Sequence, residues 1–145
     1  MSKERPDHAD AQLVIQLYDL RREAVMRQSR DTLNGKFMPK TFEDILAITK
    51  PDHPMNAAWR QVTTYWEMTY GMAKHGIVNA EYFMENMGEG LLTFVKISPH
   101  LERYRKEISQ LAFLNAEWVA TQTERGRKLM ELFGKRYQAQ LAAAK

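Results

Sequence analysis

The sequence predicts an all-α protein, an up-and-down bundle of five to six helices that forms a single domain over residues 1–145. Apolar residues recur at helical spacing through most of the chain, whereas β-branched residues never gather in the alternating runs typical of strands. A motif of Asn, Ala and an aromatic residue opens three apolar stretches, and Asn is a favoured helix N-cap. Its copies are Asn56-Ala57-Ala58-Trp59, Asn79-Ala80-Glu81-Tyr82 and Asn115-Ala116-Glu117-Trp118.

Two helices are predicted in the first third of the chain. We expect residues 1–7 to be a disordered tail; they lack the apolar segment of a secretory signal. The first helix covers about residues 9–33 and ends at Asn34-Gly35, a typical helix stop. A short second helix covers residues 42–50, with Thr41 as its N-cap.

The rest of the chain predicts three or four longer helices. The third begins between His53 and Asn56 and ends at Gly76, and its wide apolar arc predicts deep burial. The fourth covers residues 80–97 and runs antiparallel to the third, because the connection is short. Pro99 opens a fifth helix, and the last and longest helix runs from about residue 116 to residue 143.

Composition and charge exclude several classes of protein. There are no cysteines, which rules out disulfides and thiolate metal sites. No apolar run is long enough to span a membrane, and we expect a cytoplasmic protein. The net charge of +3 gives a weak field, and no helix-turn-helix or RNA-type aromatic motif is evident, which disfavours a nucleic-acid role.

No catalytic constellation is present in the sequence. None of the four histidines has a second histidine or a carboxylate at the spacing of a metal site. Gly88-Glu89-Gly90 looks like part of a phosphate loop, but no strand precedes it and it lies inside the fourth predicted helix. We therefore assign no catalytic residue, no metal and no cofactor, and we favour a non-enzymatic protein.

Arg21 departs from the apolar pattern of the first predicted helix. One stripe of this helix is clean and contains Leu13, Leu17, Leu20 and Ala24. Beside it lies a second stripe of Val14, Tyr18 and Val25 that also contains Arg21. The guanidinium must extend to solvent or find a carboxylate, or Arg21, Tyr18 and Val25 contact a partner or an anionic ligand.

Methionine and aromatic residues are frequent on the third and fourth predicted helices. Trp66, Met72, Met84 and Met87 are candidates for a pocket that binds a flexible apolar ligand. The alternative is that these methionines fill an irregular core, as they do in many proteins.

Three segments resemble an uncharacterised family of bacterial all-helical proteins. They are Tyr65-Trp66-Glu67-Met68, His75-Gly76-Ile77-Val78 and Phe94-Val95-Lys96-Ile97, within about residues 59–105. The resemblance implies a bacterial, all-helical protein and transfers no activity. It draws attention to Glu67, which the helical pattern places on a polar face and which could form a surface salt bridge with Lys74 or Arg60.

Three functions follow from these observations. The leading hypothesis is a homodimeric interaction module, based on the second stripe of the first helix and the length of the last. The alternative is a helical bundle that binds a small apolar ligand. A third hypothesis is an enzyme that uses Glu67 as a buried carboxylate.

Overall fold

The chain folds into α-helices joined by short turns, as a computed structural model shows for residues 3–144. This part of the chain contains nine α-helices, two short 3₁₀ turns and no strand. The helices are α1 His8–Arg21, α2 Ala24–Lys36, α3 Phe42–Ile48, α4 Asn56–Lys74, α5 Ala80–Asn86, α6 Leu91–Ile97, α7 Leu101–Glu107, α8 Leu114–Gln122 and α9 Glu124–Ala143. The all-α class is confirmed, whereas the count of five to six helices is wrong because three predicted helices are broken.

The first predicted helix breaks between α1 and α2. The side chain of Glu23 accepts hydrogen bonds from the backbone N–H groups of Val25 and Met26, at 3.1 and 3.0 Å. Glu23 thus acts as an N-cap, a role in which an acidic side chain also matches the positive end of the helix dipole. A new helix axis begins here, so the two stripes predicted for one helix do not continue from α1 into α2.

The fourth predicted helix breaks at the 3₁₀ turn Gly88–Gly90, between α5 and α6. Gly90 lies directly against the aromatic rings of α4. A Cβ atom at this position would lie 2.6 Å from Trp66 Cδ2 and 2.6 Å from the hydroxyl of Tyr70. Only glycine permits this approach, and the tighter turn brings the chain across the rings.

The last predicted helix breaks at Thr123, which is extended and caps α9 by accepting a hydrogen bond from the N–H of Gly126. Gly126 packs against the backbone of α8. A Cβ atom on Gly126 would lie 1.9 Å from the carbonyl oxygen of Val119. The chain therefore folds back as two packed helices, and the predicted length of the last helix is wrong.

Helix α4 lies at the centre of the core, as its wide apolar arc predicts. It packs against α2 on one side and α8 on the other, while α9 packs against α6 and α8. Its buried side chains include Trp59, Val62, Trp66 and Tyr70. Aromatic edge contacts continue this core, such as that between the rings of Trp59 and Phe113 at 6.0 Å.

The three Asn motifs play different roles in the structure. Asn79 is the predicted N-cap, because its Oδ1 accepts from the N–H of Tyr82 at 2.9 Å. Asn56 is the first residue of α4 and its side chain instead donates to the carbonyl of Ile48 at 2.9 Å. Asn115 lies within the first turn of α8. The prediction that all three act as N-caps is therefore wrong for Asn56 and Asn115.

The predicted disordered tail falls partly outside the described residues, which begin at Lys3. Lys3 itself contacts the body of the protein. Its Nζ lies 2.7 Å from a carboxylate oxygen of the buried Asp10, and its carbonyl accepts from the side chain of Asn79 at 2.8 Å. These contacts connect the start of α1 with the start of α5.

Candidate functional site

Arg21, the last residue of α1, carries a cation that lacks an acidic partner within residues 3–144. Its guanidinium carbon lies 4.8 Å from the ring centre of Tyr18 and 5.6 Å from that of Trp66. One terminal nitrogen lies 3.9 Å from the sulfur of Met87. The Nε atom is buried and has no hydrogen-bond partner in the described part of the chain. Stacking on aromatic rings partly offsets the loss of hydration, and the predicted salt bridge does not form.

The neighbouring cation, Arg30 of α2, is fully paired. Its Nε and Nη2 atoms donate to the two carboxylate oxygens of Glu89 at 2.6 and 2.8 Å. This hydrogen bonding raises the pKa of Arg30 above its ordinary value. Arg30 also donates to the backbone carbonyl of Arg21 at 3.0 Å. Glu89 is thus committed to Arg30, which leaves the charge of Arg21 uncompensated.

Two buried phenols fix the elements around Arg21. The hydroxyl of Tyr65 donates to the carbonyl of Leu17, which joins α4 to α1. The hydroxyl of Tyr70 donates to the carbonyl of Met87 at 3.0 Å. Burial raises the pKa of Tyr65 to about 12, so it remains a neutral donor at physiological pH. These two hydrogen bonds therefore join α4 to α1 and to Met87 on the buried side of Arg21.

The outer side of the same region exposes large apolar side chains. We call it the α1 face, and it consists of Ile15 and Tyr18, which lie three positions apart on α1 and are 69% and 48% exposed. Leu20 and Val25 are also exposed, but Leu20 lies on the other flank of α1 and Val25 belongs to α2. Val14, which the sequence groups with Tyr18 and Val25, is buried instead. Of the three predicted contact residues, Tyr18 and Arg21 contact each other, because the Arg21 guanidinium lies over the Tyr18 ring. Val25 lies in the first turn of α2.

Most residues of the predicted apolar ligand pocket lie in the core. Met84 and Met87 are buried core residues, and Met72 is partly buried. Trp66 borders a cavity of about 10 Å³ that Gly90 and Phe113 also line. A space of this size holds about one water molecule. The pocket for a larger apolar ligand stays a prediction, although the structure brings Trp66 and Met87 together beside Arg21.

Glu67 serves the fold in a way that the sequence does not suggest. Its carboxylate oxygens accept from the backbone N–H groups of Asn115 and Ala116, at 2.9 and 2.8 Å. Glu67 therefore caps α8 from a different helix, and the expected pairing with Lys74 or Arg60 is wrong.

Two other carboxylates act in the same way. Glu81 of α5 accepts from the N–H groups of Glu124 and Arg125 at the start of α9, at 2.8 and 3.0 Å. Asp10 accepts from the N–H of Asn79 at 3.1 Å. Glu67, Glu81 and Asp10 are thus hydrogen-bonded to backbone N–H groups at helix starts, where they stabilise the fold.

Lys96 is the residue that sequence reasoning placed most wrongly. A continuous helical pattern over residues 80–97 predicts that Lys96 lies on the solvent side, yet it is only 5% exposed. Its Nζ donates to the carbonyls of Leu33 and Phe37, at 2.9 and 2.7 Å. The sequence does contain a sign of this burial. Lys96 is the one charged residue in the α6 segment Leu-Leu-Thr-Phe-Val-Lys-Ile.

Residues 3–144 contain neither a cluster of metal ligands nor a membrane-spanning helix. No group of three or more His, Asp or Glu side chains in this range is arranged to hold a metal ion. None of the described helices combines the length and the hydropathy needed to cross a membrane.

The fold and the site define an all-helical domain with an unpaired arginine beside an exposed apolar face. Comparison with protein families then gives a match over residues 6–123 to the family described as Domain of unknown function (DUF4760). The chain belongs to this family, and the resemblance to an uncharacterised family is confirmed. No curated protein and no solved structure matches the sequence. The family match ends at Thr123, so α9 lies beyond it.

Proposed function

We propose that this protein is a non-enzymatic interaction module that pairs with a second copy of itself through the α1 face. The observation that carries the proposal is the exposure of two large apolar side chains, Ile15 and Tyr18, that are neighbours on the surface of α1. Single exposed apolar residues are common, whereas a cluster of them marks an interaction site. The side chain of Ile15 is 69% exposed, so it contributes little to the stability of a single chain.

The charges on this surface favour a second copy as the occupant. Asp19 and Arg22 are exposed within the same stretch, and neither forms an ion pair with any residue of the described range 3–144. In a two-fold pair, each contact from one residue to another occurs twice. Two α1 helices packed antiparallel, with the two-fold axis between these residues, would place each Asp19 near Arg22 of the other copy.

The unpaired Arg21 supports the same arrangement. Its guanidinium stacks on Tyr18, which belongs to the α1 face, and an approaching carboxylate would find a cation held in place by aromatic rings. Guanidinium groups recognise carboxylates strongly when both are shielded from water.

The hypothesis of an enzyme built on Glu67 receives less support. Both carboxylate oxygens of Glu67 are occupied by backbone N–H groups of α8. A general base must be free to reach the proton that it abstracts, and Glu67 would have to release a helix start to do so.

Sedimentation equilibrium over a range of protein concentrations tests the proposal. We expect the wild-type chain to show a monomer–dimer equilibrium and Ile15→Glu to weaken it at least about tenfold, because two carboxylates enter an apolar interface. Leu111→Glu is the matched control, since Leu111 is 75% exposed and lies outside the α1 face.

Ile15→Glu should leave the circular dichroism spectrum unchanged, because the side chain is exposed. At a concentration at which the wild type is monomeric, it should also leave the unfolding midpoint unchanged. A wild-type chain that stays monomeric at every concentration would contradict the proposal. Equal weakening by Ile15→Glu and Leu111→Glu would contradict it as well.

A further inference from the structure

Lys96 lines a cavity between α6 and α9 that is separate from the α1 face. The cavity has a volume of about 220 Å³. We call it the Lys96 cavity; it is lined by Asn34, Leu92, Val95, Lys96, Phe133, Arg136, Tyr137 and Gln140. It is much larger than the cavity beside Trp66.

The ammonium of Lys96 is held in place by backbone and rings. It donates to the carbonyls of Leu33 and Phe37, at the C-terminal end of α2, where the helix dipole favours a cation. Its Nζ also lies 5.8 Å from the ring centre of Phe37 and 5.6 Å from that of Tyr137. An ammonium has three N–H donors, and two are used by acceptors in the described residues.

The charge of Lys96 is not balanced by an acid. Within residues 3–144 it forms no ion pair, and none of the residues that line the cavity is Asp or Glu. Desolvation lowers the pKa of Lys96 to about 8, as expected for a buried cation that lacks an anionic partner. A binding anion would supply that partner.

Arg136 contributes a second cation at the opening of the cavity. Its guanidinium carbon lies 5.7 Å from the ring centre of Phe133, and no ion pair involves Arg136 in the part of the chain that the structure describes. The remaining wall is largely apolar, formed by Leu92, Val95 and Phe133. The lining therefore combines a buried cation, an exposed cation and an apolar wall.

We propose that the Lys96 cavity binds a small organic carboxylate with a short apolar tail. The carboxylate lies between Lys96 and Arg136, and the tail packs on Phe133 and the neighbouring aliphatic side chains. Charge-assisted hydrogen bonds orient the ligand, while burial of the tail supplies most of the affinity. A purely inorganic anion would leave the apolar wall uncovered, which is why the tail belongs to the proposal.

The probe is sodium hexanoate, whose size suits the cavity, and the readout is the amide spectrum of the ¹⁵N-labelled full chain. We expect saturable shifts at Asn34 of α2 and Val95 of α6, which both line the cavity. Hexanamide is the neutral matched ligand and should bind at least about tenfold more weakly. Inorganic phosphate should cause no saturable shift at Val95.

Two variants test whether Arg136 contacts the carboxylate of the ligand. Arg136→Gln should raise the dissociation constant for hexanoate about five- to tenfold, because one of two cations is lost. Lys135→Gln is the matched control, since Lys135 is an adjacent exposed cation of α9 that pairs with Glu131 and does not line the cavity. It should leave the dissociation constant unchanged.

Lys96→Met keeps the length of the side chain and removes its charge. We expect the folded variant to lose the preference for hexanoate over hexanamide. The proposal is overturned if hexanoate causes no saturable shift at the cavity, or if hexanamide binds equally well. It is also overturned if Arg136→Gln and Lys135→Gln have the same effect.

Discussion

Glu67 and Asn115 hold each other in a reciprocal arrangement across two helices. The carboxylate of Glu67 accepts from the backbone N–H of Asn115 at 2.9 Å, and the side-chain amide of Asn115 donates to the backbone carbonyl of Glu67 at 2.9 Å. The first bond satisfies an N–H group that the start of α8 would otherwise leave unpaired. The second joins the side chain of Asn115 in α8 to the backbone of α4.

Removing the carboxylate of Glu67 should lower the stability of the fold. Glu67→Ala leaves two N–H groups of α8 without their acceptor, and we expect the free energy of unfolding to fall by about 1–2 kcal/mol. Chemical unfolding with urea, followed by circular dichroism, measures this change.

Glu131→Ala is the matched control for Glu67→Ala, because Glu131 is 73% exposed and forms only a surface pair with Lys135. We expect it to leave the unfolding midpoint nearly unchanged. Equal effects of the two substitutions would show that the cap does not stabilise the fold.

Much of the helical fold could be predicted because it depends on local signals. Helix α4 begins and ends close to where its apolar arc and flanking glycine place it, and Asn79 caps α5 as its motif indicates. These features arise from residues within a few positions of one another, and periodicity and capping preferences report such local relationships.

The three helix breaks could not be predicted because they depend on distant contacts. Gly126 lies in a helical pattern, and only its contact with Val119 shows why the chain turns there. The cap of α8 comes from Glu67, which lies 48 residues before Asn115 in the chain. Sequence spacing does not show which helices will meet.

The candidate site was predicted in part. Arg21 stood out because it interrupts an apolar stripe, and the structure places it against Tyr18 and Trp66. Lys96 was missed because a helical wheel for residues 80–97 assumes one straight helix. The 3₁₀ turn at Gly88–Gly90 changes the orientation of α6, so Lys96 faces the interior.

Replacing Gly126 and Gly35, which both lie in helices, by alanine should change the free energy of unfolding in opposite directions. Gly126→Ala forces a Cβ against the carbonyl of Val119, and we expect the free energy of unfolding to fall by about 3 kcal/mol or more. Gly35 in α2 has no atom within 4 Å of the same position, so Gly35→Ala should stabilise the fold by about 0.5–1 kcal/mol.

Thermal and urea unfolding of the two glycine variants measure both effects. A stable Gly126→Ala variant would contradict the close packing of α8 against α9. The Gly35→Ala variant shows that alanine is not harmful in itself at a helical position.

Stability should depend on pH through Lys96. Burial lowers its pKa from 10.5 to about 8 in the folded chain, so the unfolded chain binds more protons between these two values. The free energy of unfolding therefore rises with pH across this window as the cost of the buried charge is removed. Burial raises the pKa of the adjacent Tyr137 to about 12, so its hydroxyl keeps its proton over most of the window.

Comparison with Lys96→Met isolates this contribution. From pH 8 to 10.5 we expect the difference in unfolding free energy to shift in favour of the wild type by on the order of 1–3 kcal/mol. Urea unfolding of both proteins at several pH values measures the shift. A difference that stays constant, or that moves in favour of Lys96→Met, would show that the burial of the charge does not affect stability.

The distance between two copies of α1 tests the central proposal most directly. Because the chain has no cysteine, a single Gln16→Cys substitution carries one spin label, and any dipolar signal must come from a second copy. We expect pulsed electron resonance to give a defined distance that is shorter than the distance from a label at Lys135→Cys in α9. A purely monomeric background for both labels, or a shorter distance from Lys135 than from Gln16, would contradict pairing through the α1 face.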